Sequence, residues 1–566
     1  MYKKLARNIL TFLVHFSPAL FIIGPLFFAK GYLFFTDFVW GPHLTYDWTG
    51  AVFLTNVVIK GLSLVLSVDL IEKLYITLCL GLVLWGGKKI AGLFLKKQWL
   101  VFVASLFALF NPFVYDRAMY GQYGVVGAFG LMLLGIGFLL EYLDKKQTRQ
   151  ILLAGISFAF AVQFAPEFFF FIAAFYLFVF LPMFFAEKHG SSVSTDDDKK
   201  NVDGDKRGML AEIIKISVII IVIALALNAN WLIGSAIGRS GAGGLVSNGI
   251  TTQDLVAFQT SGKTGGDALA DVLMMSGFWG KDQFRYADLT TFANNWGRSF
   301  FLLLPIILWG FVAGLRSKEK KYRYLTVGSA LLFIVSVVLA AGIRIPVGRE
   351  VTYFLFNHLP FYKGLRESQK WVSLVTAIYL IFLSSGLWEF FSTKFIQRHA
   401  IVMKCFVGAV IVMQAPLLLF GFGRQVVPTS YPSDWYAVND YIVRDSGCAG
   451  TTLFLPWHLY MSFSWLGKIV VNPAPSFFEC PVVSGSDMEW GGIYDNSESP
   501  EGRAIEQWLS TGGATDLLRN GAFNVRYVIL AKELDWGSYA GMNSNPELKL
   551  VMETPMLKVY KVESAQ

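Results

Sequence analysis

The chain has 566 residues, of which 54% are hydrophobic, 16% aromatic and only 16% charged. A soluble globular protein of this length needs more charge to cover its surface, so that class is excluded. The net charge of +8 does not point to nucleic acid. The basic residues sit in short clusters between apolar runs, which is the positive-inside pattern of a polytopic membrane protein, and no nucleic-acid motif is present.

The first apolar run, Ile9 to Ala29, is long enough to cross a bilayer, and Lys3, Lys4 and Arg7 before it hold the N-terminus inside. It is too long for a signal-peptide core and no small-residue cleavage site ends it, so it reads as a retained span. The loop from about 30 to 69 carries Asp37, Trp40, His43, Asp47 and Trp48, and its apolar middle, Ala51 to Leu66, suits a helix lying on the outer membrane surface. Spans follow at about Leu70–Trp85, Trp99–Phe110 and Val125–Leu143. Asn111-Pro112 stops the third helix ahead of Tyr115-Asp116-Arg117 and Tyr120-Gly121-Gln122.

The apolar stretch Ile151 to Phe185 is too long for one span, and Gln163-Phe-Ala-Pro166-Glu167 breaks it in two. An ionisable group at such a break is a functional candidate, because irregular backbone at membrane depth needs protein or water to satisfy it. Residues 187–208 are polar and aperiodic and read as a disordered cytoplasmic linker, with Asp196 to Asp198 a solvated charge run rather than a metal motif. Further spans are expected at Met209–Gly234, Phe300–Leu315, Leu325–Gly342, Val372–Phe391 and Ile401–Phe422. A second outer loop covers about 233–296, with a short helix near Thr252 to Gln259 capped by Thr251 or Thr252. The third outer loop, about 343–370, keeps Arg344, Arg349, Arg366 and Lys370 outside, against the charge rule, and anion binding is one reason for that.

The expected fold class is therefore a polytopic α-helical membrane protein of about eleven transmembrane helices. Residues 1–423 form the membrane domain, and residues 424–566 a soluble extracytoplasmic domain of α/β or α+β type. Strands are expected at Thr452–Trp457, Lys468–Val471 and Val525–Ala531, and helices at Ala504–Leu509 and Ala514–Asn520. Cys79 and Cys405 read as buried fillers of spans. Cys448 and Cys480 fall in a compartment that permits a disulfide, and that pairing stays open. Trp435, Trp457, Trp465 and Trp490 suit either sugar stacking or the core of this domain.

A site on the outer face receives no cytosolic nucleotide sugar, so a sugar donor there would be a lipid phosphate. Transfer from it needs a carboxylate to take the acceptor's proton, cations to hold the leaving phosphate, and an apolar groove for the lipid. The chain offers Asp37 as base, with Asp47 and Glu167 as further catalytic carboxylates. Asp116, Arg117, Arg366, Lys370, His43, Tyr120 and Gln122 are candidate substrate contacts. Should a divalent cation such as Mg or Mn be required, Asp37, Asp47 and His43 are the candidate ligands; no cofactor follows from the sequence.

Asp37 soon after the first span, the long outer loop with its surface helix, the broken fifth and sixth spans and the outer C-terminal domain together resemble the GT-C superfamily of integral-membrane glycosyltransferases, which often show two near-adjacent acids where Asp37 here stands alone. Asn111-Pro-Phe-Val-Tyr-Asp-Arg117, Tyr120-Gly-Gln122 and Leu359-Pro-Phe-Tyr-Lys-Gly-Leu-Arg366-Glu look most like prokaryotic arabinofuranosyltransferase-like and YfhO-like membrane proteins. The resemblance implies an inverting transfer from a polyprenyl-phosphate sugar to an envelope glycan, lipid or protein, in the plasma membrane of a prokaryote.

Rival readings remain at this level. Asp37 could cap a loop helix, Asp116 and Arg117 could pair with each other, and Arg366 and Lys370 could pair with Glu367 or lipid headgroups. His358 and His458 read as structural. The whole chain could instead be a flippase of lipid-linked sugars with Glu167 as coupling carboxylate, or a non-catalytic envelope-assembly scaffold.

Overall fold

The computed structural model describes residues 2–44, 50–191, 201–236, 250–289, 299–359, 361–486, 489–490, 493–494, 500–511 and 524–563. Up to Gly423 the described chain is helical apart from its loops; regular β-structure begins at Thr451.

Local sequence sets the helix breaks. Helix Gln98–Leu109 stops where expected, and Asn111 caps the next helix, Pro112–Tyr120, by accepting from Val114 N at 3.0 Å. Pro112 fits the first turn because its missing N–H would have had no partner there. The two helices meet at 49°. Thr148–Phe164 ends and Phe168–Phe175 begins around Pro166, again as expected. Thr251 caps helix Thr252–Ala257 in a capping box with Asp254. Helix Phe53–Leu62 occupies the expected surface-helix position, with Val57 and Val58 exposed.

The expected count of about eleven spans is overturned. Among the described residues, five helices are long and apolar enough to cross a membrane: 123–145, 168–186, 208–234, 320–344 and 368–392. The number rises to seven if each bent pair, 98–109 with 112–120 and 400–412 with 416–423, is one span. Two other apolar runs fold as helices that are too short and one as a helix that is too charged, while the first run lies in helix Tyr2–Phe27, whose side chains are described only from Val14. Phe300–Leu315 has 16 residues and Thr148–Phe164 has 17. At 1.5 Å per residue the shorter rises only about 24 Å, against a hydrocarbon core of about 30 Å. Val68–Phe94 is long but carries Asp69, Glu72, Lys73, Lys88 and Lys89. Of the expected linker, 187–191 and 201–208 extend the flanking helices, and Asp196 to Asp198 lie outside the described residues.

Ion pairs fix which turns share an end. Lys321 meets Asp144 at 2.6 Å and Lys89 meets Glu141 at 2.6 Å. The turns after Val68–Phe94, Tyr123–Lys145 and Phe300–Leu315 therefore lie together. Asp37 sits at the opposite end, against Tyr120 and Gln122 at the start of Tyr123–Lys145.

The C-terminal domain is built on a five-stranded mixed sheet. Its strands are β1 (Thr451–Leu455), β2 (Tyr460–Phe463), β3 (Lys468–Val471), β4 (Val482–Val483), β5 (Glu489–Trp490), β6 (Ile493–Tyr494), β7 (Val525–Ala531), β8 (Leu548–Glu553) and β9 (Leu557–Val562), and the sheet order is β4-β1-β7-β9-β8. Side chains of β1 alternate between faces. Phe454 packs with Trp435 and Ile442 of helix Ser433–Ser446, while Leu453 and Leu455 pack with Ile505 and Trp508 of helix Pro500–Thr511. Trp435 and Trp457 are thus core residues. Residues 514–520 lie outside the described set. Cys448 and Cys480 form a disulfide, Cys79 is buried as expected, and Cys405 is exposed on its helix.

The domain also takes part of the first loop into its own core. Phe34 is fully buried among Tyr431, Trp435 and Phe477. Tyr32 pairs with Thr429, and Val471 N of β3 donates to Thr36 O at 2.7 Å.

Candidate functional site

Asp37 lies in a turn closed by Phe35 N donating to Phe38 O at 3.0 Å, and its own N–H donates to Tyr120 O at 2.8 Å. This close approach needs Gly121, which ends helix Pro112–Tyr120 at φ +96°. A Cβ there would stand 2.8 Å from the backbone nitrogen of Phe38.

Both carboxylate oxygens of Asp37 are engaged. Tyr460 OH of β2 donates to Oδ1 at 2.7 Å, and Gln122 Nε2 donates to Oδ2 at 3.2 Å. Burial pushes the carboxyl up to about 6, against the pull of these two hydrogen bonds. Asp37 is no helix cap.

From Asp37 a chain of polar contacts runs into the bundle. Arg117 Nη1 donates to Gln122 Oε1 and to Glu367 Oε2, the latter at 2.5 Å. Lys370 Nζ lies 3.4 Å from Glu367 Oε1 and 2.6 Å from Glu167 Oε1. The broken helix at Pro166 therefore presents Glu167 to Lys370. Arg117 is 1% exposed and stacks over Phe278 at 4.3 Å. Burial alone would raise Glu367, but Lys370 and then Arg117 outweigh it and hold its carboxyl at about 2.

Asp37, Gln122, Arg117, Lys370 and Glu167, drawn from segments far apart in sequence, thus meet in one network. Tyr120 touches it through its backbone carbonyl, which accepts from Asp37 N, and the side chains of the remaining described candidates turn elsewhere. Asp116 does not pair with Arg117. It turns the other way and accepts from Tyr286 OH at 3.1 Å and Ser276 Oγ at 3.5 Å, anchoring the segment 250–289. Arg366 pairs with Asp254 at 3.0 Å and covers Phe258. Tyr120 OH donates to Gln283 Oε1 at 2.8 Å. His43 is held at the C-terminal domain by its backbone, His43 N donating to Ser476 O at 3.1 Å. Asp47 lies outside the described residues.

Nor do the described residues bring together three His, Cys, Asp or Glu side chains able to hold a metal ion. Among the described residues Asp37 meets Tyr460 and Gln122, and Asp47, the other carboxylate of the expected ligand set, lies outside them.

Lys370 pairs with Glu367, as one sequence reading allowed, and Glu367 also meets Arg117. Two participants escape a sequence reading, Arg285 and Tyr460, the latter 423 residues from its partner Asp37. Arg285 lies with its guanidinium carbon 4.7 Å from the Tyr460 ring centroid and 5.9 Å from that of Tyr120. Its Nη1 is 3.5 Å from Tyr120 OH, and among the described residues it has no carboxylate within ion-pair distance. One signal did exist for Arg285: it is a basic residue in a loop expected outside, like those of 343–370. No local pattern marks Tyr460.

No family model and no curated protein matches the chain. Solved structures do. The arabinofuranosyltransferase AftD from Mycobacteria superposes with a TM-score of 0.58 at 13% identity, covering 98% of this chain and 40% of that one. A mutant of the same enzyme gives 0.56 at 13% identity, covering 98% and 42%. The oligosaccharyltransferase of Archaeoglobus fulgidus gives 0.44 at 13% identity, covering 92% and 62%, too loose a match to carry an argument. The chain spans about two fifths of the AftD chain. At this identity the likeness shows a fold shared with that part of the AftD chain and nothing finer.

Proposed function

We propose that the chain is a GT-C-type membrane glycosyltransferase. It moves a sugar from a polyprenyl-phosphate carrier at the outer face of a prokaryotic plasma membrane to an envelope glycan, lipid or protein. The observation that carries this reading is Asp37, a partly exposed carboxylate raised to about 6 and oriented by two hydrogen bonds. A carboxyl in that range is ionised at neutral pH and is a stronger base than a free aspartate.

The acceptor hydroxyl gives its proton to Asp37 as its oxygen attacks the anomeric carbon from the face opposite the phosphate. The bond from that carbon to the phosphate oxygen breaks, and the polyprenyl phosphate leaves with the electron pair. The glycosidic configuration inverts. Arg117 and Lys370 are already paired to Glu367 and Glu167, which suits them to hold the site's shape. Arg285, with no carboxylate within ion-pair distance among the described residues, is the better candidate to meet the phosphate, where charge grows in the transition state. Domain limits near 423 and an extracytoplasmic C-terminal domain belong to the same reading, and the Cys448–Cys480 disulfide supports that compartment. The ion pair between Glu167 and Lys370 weighs against a coupling carboxylate and so against a flippase.

The test is transfer by the full chain in nanodiscs with a panel of polyprenyl-phosphate sugars and envelope acceptors. Asp37→Asn is expected to lower kcat by about a hundred- to ten-thousandfold while the protein stays folded. Arg285→Gln is expected to lower kcat/KM for the donor about a hundredfold, the scale of a lost charge-assisted contact. Full turnover by Asp37→Asn would refute the base assignment.

A further inference from the structure

We propose that Tyr460 is a positioning residue for the base, so that docking of the C-terminal domain on the first loop completes the catalytic centre rather than merely covering it. This rests on Asp37 being the base of the reaction proposed above.

The geometry follows from strand register. Tyr460 on β2 stands opposite Val471 on β3. Val471 N donates to Thr36 O at 2.7 Å, and the next residue of the loop is Asp37. The same backbone bond that adds the loop to the domain therefore brings the phenol of Tyr460 to Asp37 Oδ1, 2.7 Å away. The docking is held at several further points. Lys468 Nζ donates to Phe34 O, Tyr431 OH donates to Trp40 O at 2.9 Å, and Phe34 lies in the domain's apolar core. Arg285, over the Tyr460 ring, ties the second outer loop to the same point.

Four ionisable groups act on Asp37: Tyr460 by hydrogen bond, and Glu367, Arg285 and Tyr120 through space. Glu367 raises its carboxyl and Arg285 lowers it. Tyr460 is the one of the four that comes from the C-terminal domain, and its hydrogen bond favours the ionised form. With the domain docked but that donor removed, burial is less opposed and the Asp37 carboxyl rises further towards neutral pH.

The experiment follows the protonated C=O band of Asp37 by infrared difference spectroscopy of the full chain in nanodiscs across pH, with Asp37→Asn assigning the band. It needs no donor. The parent is expected to titrate near 6. Tyr460→Phe is expected to shift that midpoint up by about one unit, a tenfold change in the protonation equilibrium. A fluorotyrosine placed at 460, isosteric and a stronger donor, is expected to shift it down. The acidic limb of kcat/KM should move in step, with donor KM little changed, a split that general loosening of the domain would not give. A midpoint unmoved in both forms overturns the proposal, whatever turnover does. An Asp37→Asn chain with full turnover instead sinks the base assignment and this proposal with it, so the two failures are told apart.

Discussion

Glu367 accepts from Arg117 and faces Lys370 as well, with 13% of its side chain exposed. Taking one member out of such a buried set leaves uncompensated charge, at a cost of about 3–5 kcal/mol. Glu367→Gln should therefore lower the thermal midpoint of the detergent-solubilised chain at pH 7 and release Arg117 from its place beside Gln122. The pH dependence has a definite sign. The carboxyl stands at about 2 in the folded chain against an ordinary value of 4.5. Its contribution to stability is complete above about pH 4.5 and is lost as pH falls from there towards 2. The gap in midpoint between parent and variant should accordingly close on acidification. A gap of equal size at pH 7 and pH 3 would show that the ion network is not its source.

Helices Phe300–Leu315 and Val372–Ser392 cross through two glycines. A Cβ on Gly310 would lie 1.9 Å from Phe382 O, and one on Gly386 would lie 1.9 Å from Ile306 O. Small residues at such a crossing let backbones touch in a medium where packing rather than water drives association. Gly386→Ala has to push the pair apart and should cost about 1–3 kcal/mol or more. Gly408, in helix Ala400–Val412 with nothing within 4 Å of its would-be Cβ, is the control. Thermal unfolding followed by tryptophan fluorescence checks both, and equal midpoints for the two alanine variants would contradict the close crossing. Elements of this kind were readable where a local signal marks them. Pro112 and Pro166 break helices, Thr251 caps one, and the short apolar runs at Thr452, Lys468 and Val525 are strands. The span count was not readable, because apolarity fixes that a run is buried while spanning depends on its unbroken length. The site was legible in part for the same reason. Asp37, Glu167 and Lys370 stand out as charges beside apolar helices. Tyr460 and Arg285 gain their roles only from contacts across the fold, which leave no period in the sequence, whereas the Glu367–Lys370 pair is local.

At the scale of the whole molecule, charge and topology should agree on orientation. The turns joined by Lys321–Asp144 and Lys89–Glu141 lie at one end of the bundle, with Lys96, Lys97, Lys318 and Lys320 in or beside them. Asp37, the disulfide and the sheet domain lie towards the other. The positive-inside rule assigns the first end to the cytoplasm. An oxidised Cys448–Cys480 pair belongs in the opposite compartment. The two arguments are independent, since one concerns insertion and the other redox chemistry, and both favour the orientation proposed above. The expected outcome can be read on intact cells with a membrane-impermeant thiol reagent. In a Cys405→Ser background, because Cys405 is exposed, Ser544→Cys in the sheet domain should label without permeabilisation. Lys318→Cys, at the basic end, should label only after it. Both positions are exposed in the folded chain, so a silent probe would not reflect burial. Labelling of Lys318→Cys alone on intact cells would invert the molecule, put Asp37 in the cytoplasm, and remove the reason for a lipid-borne donor.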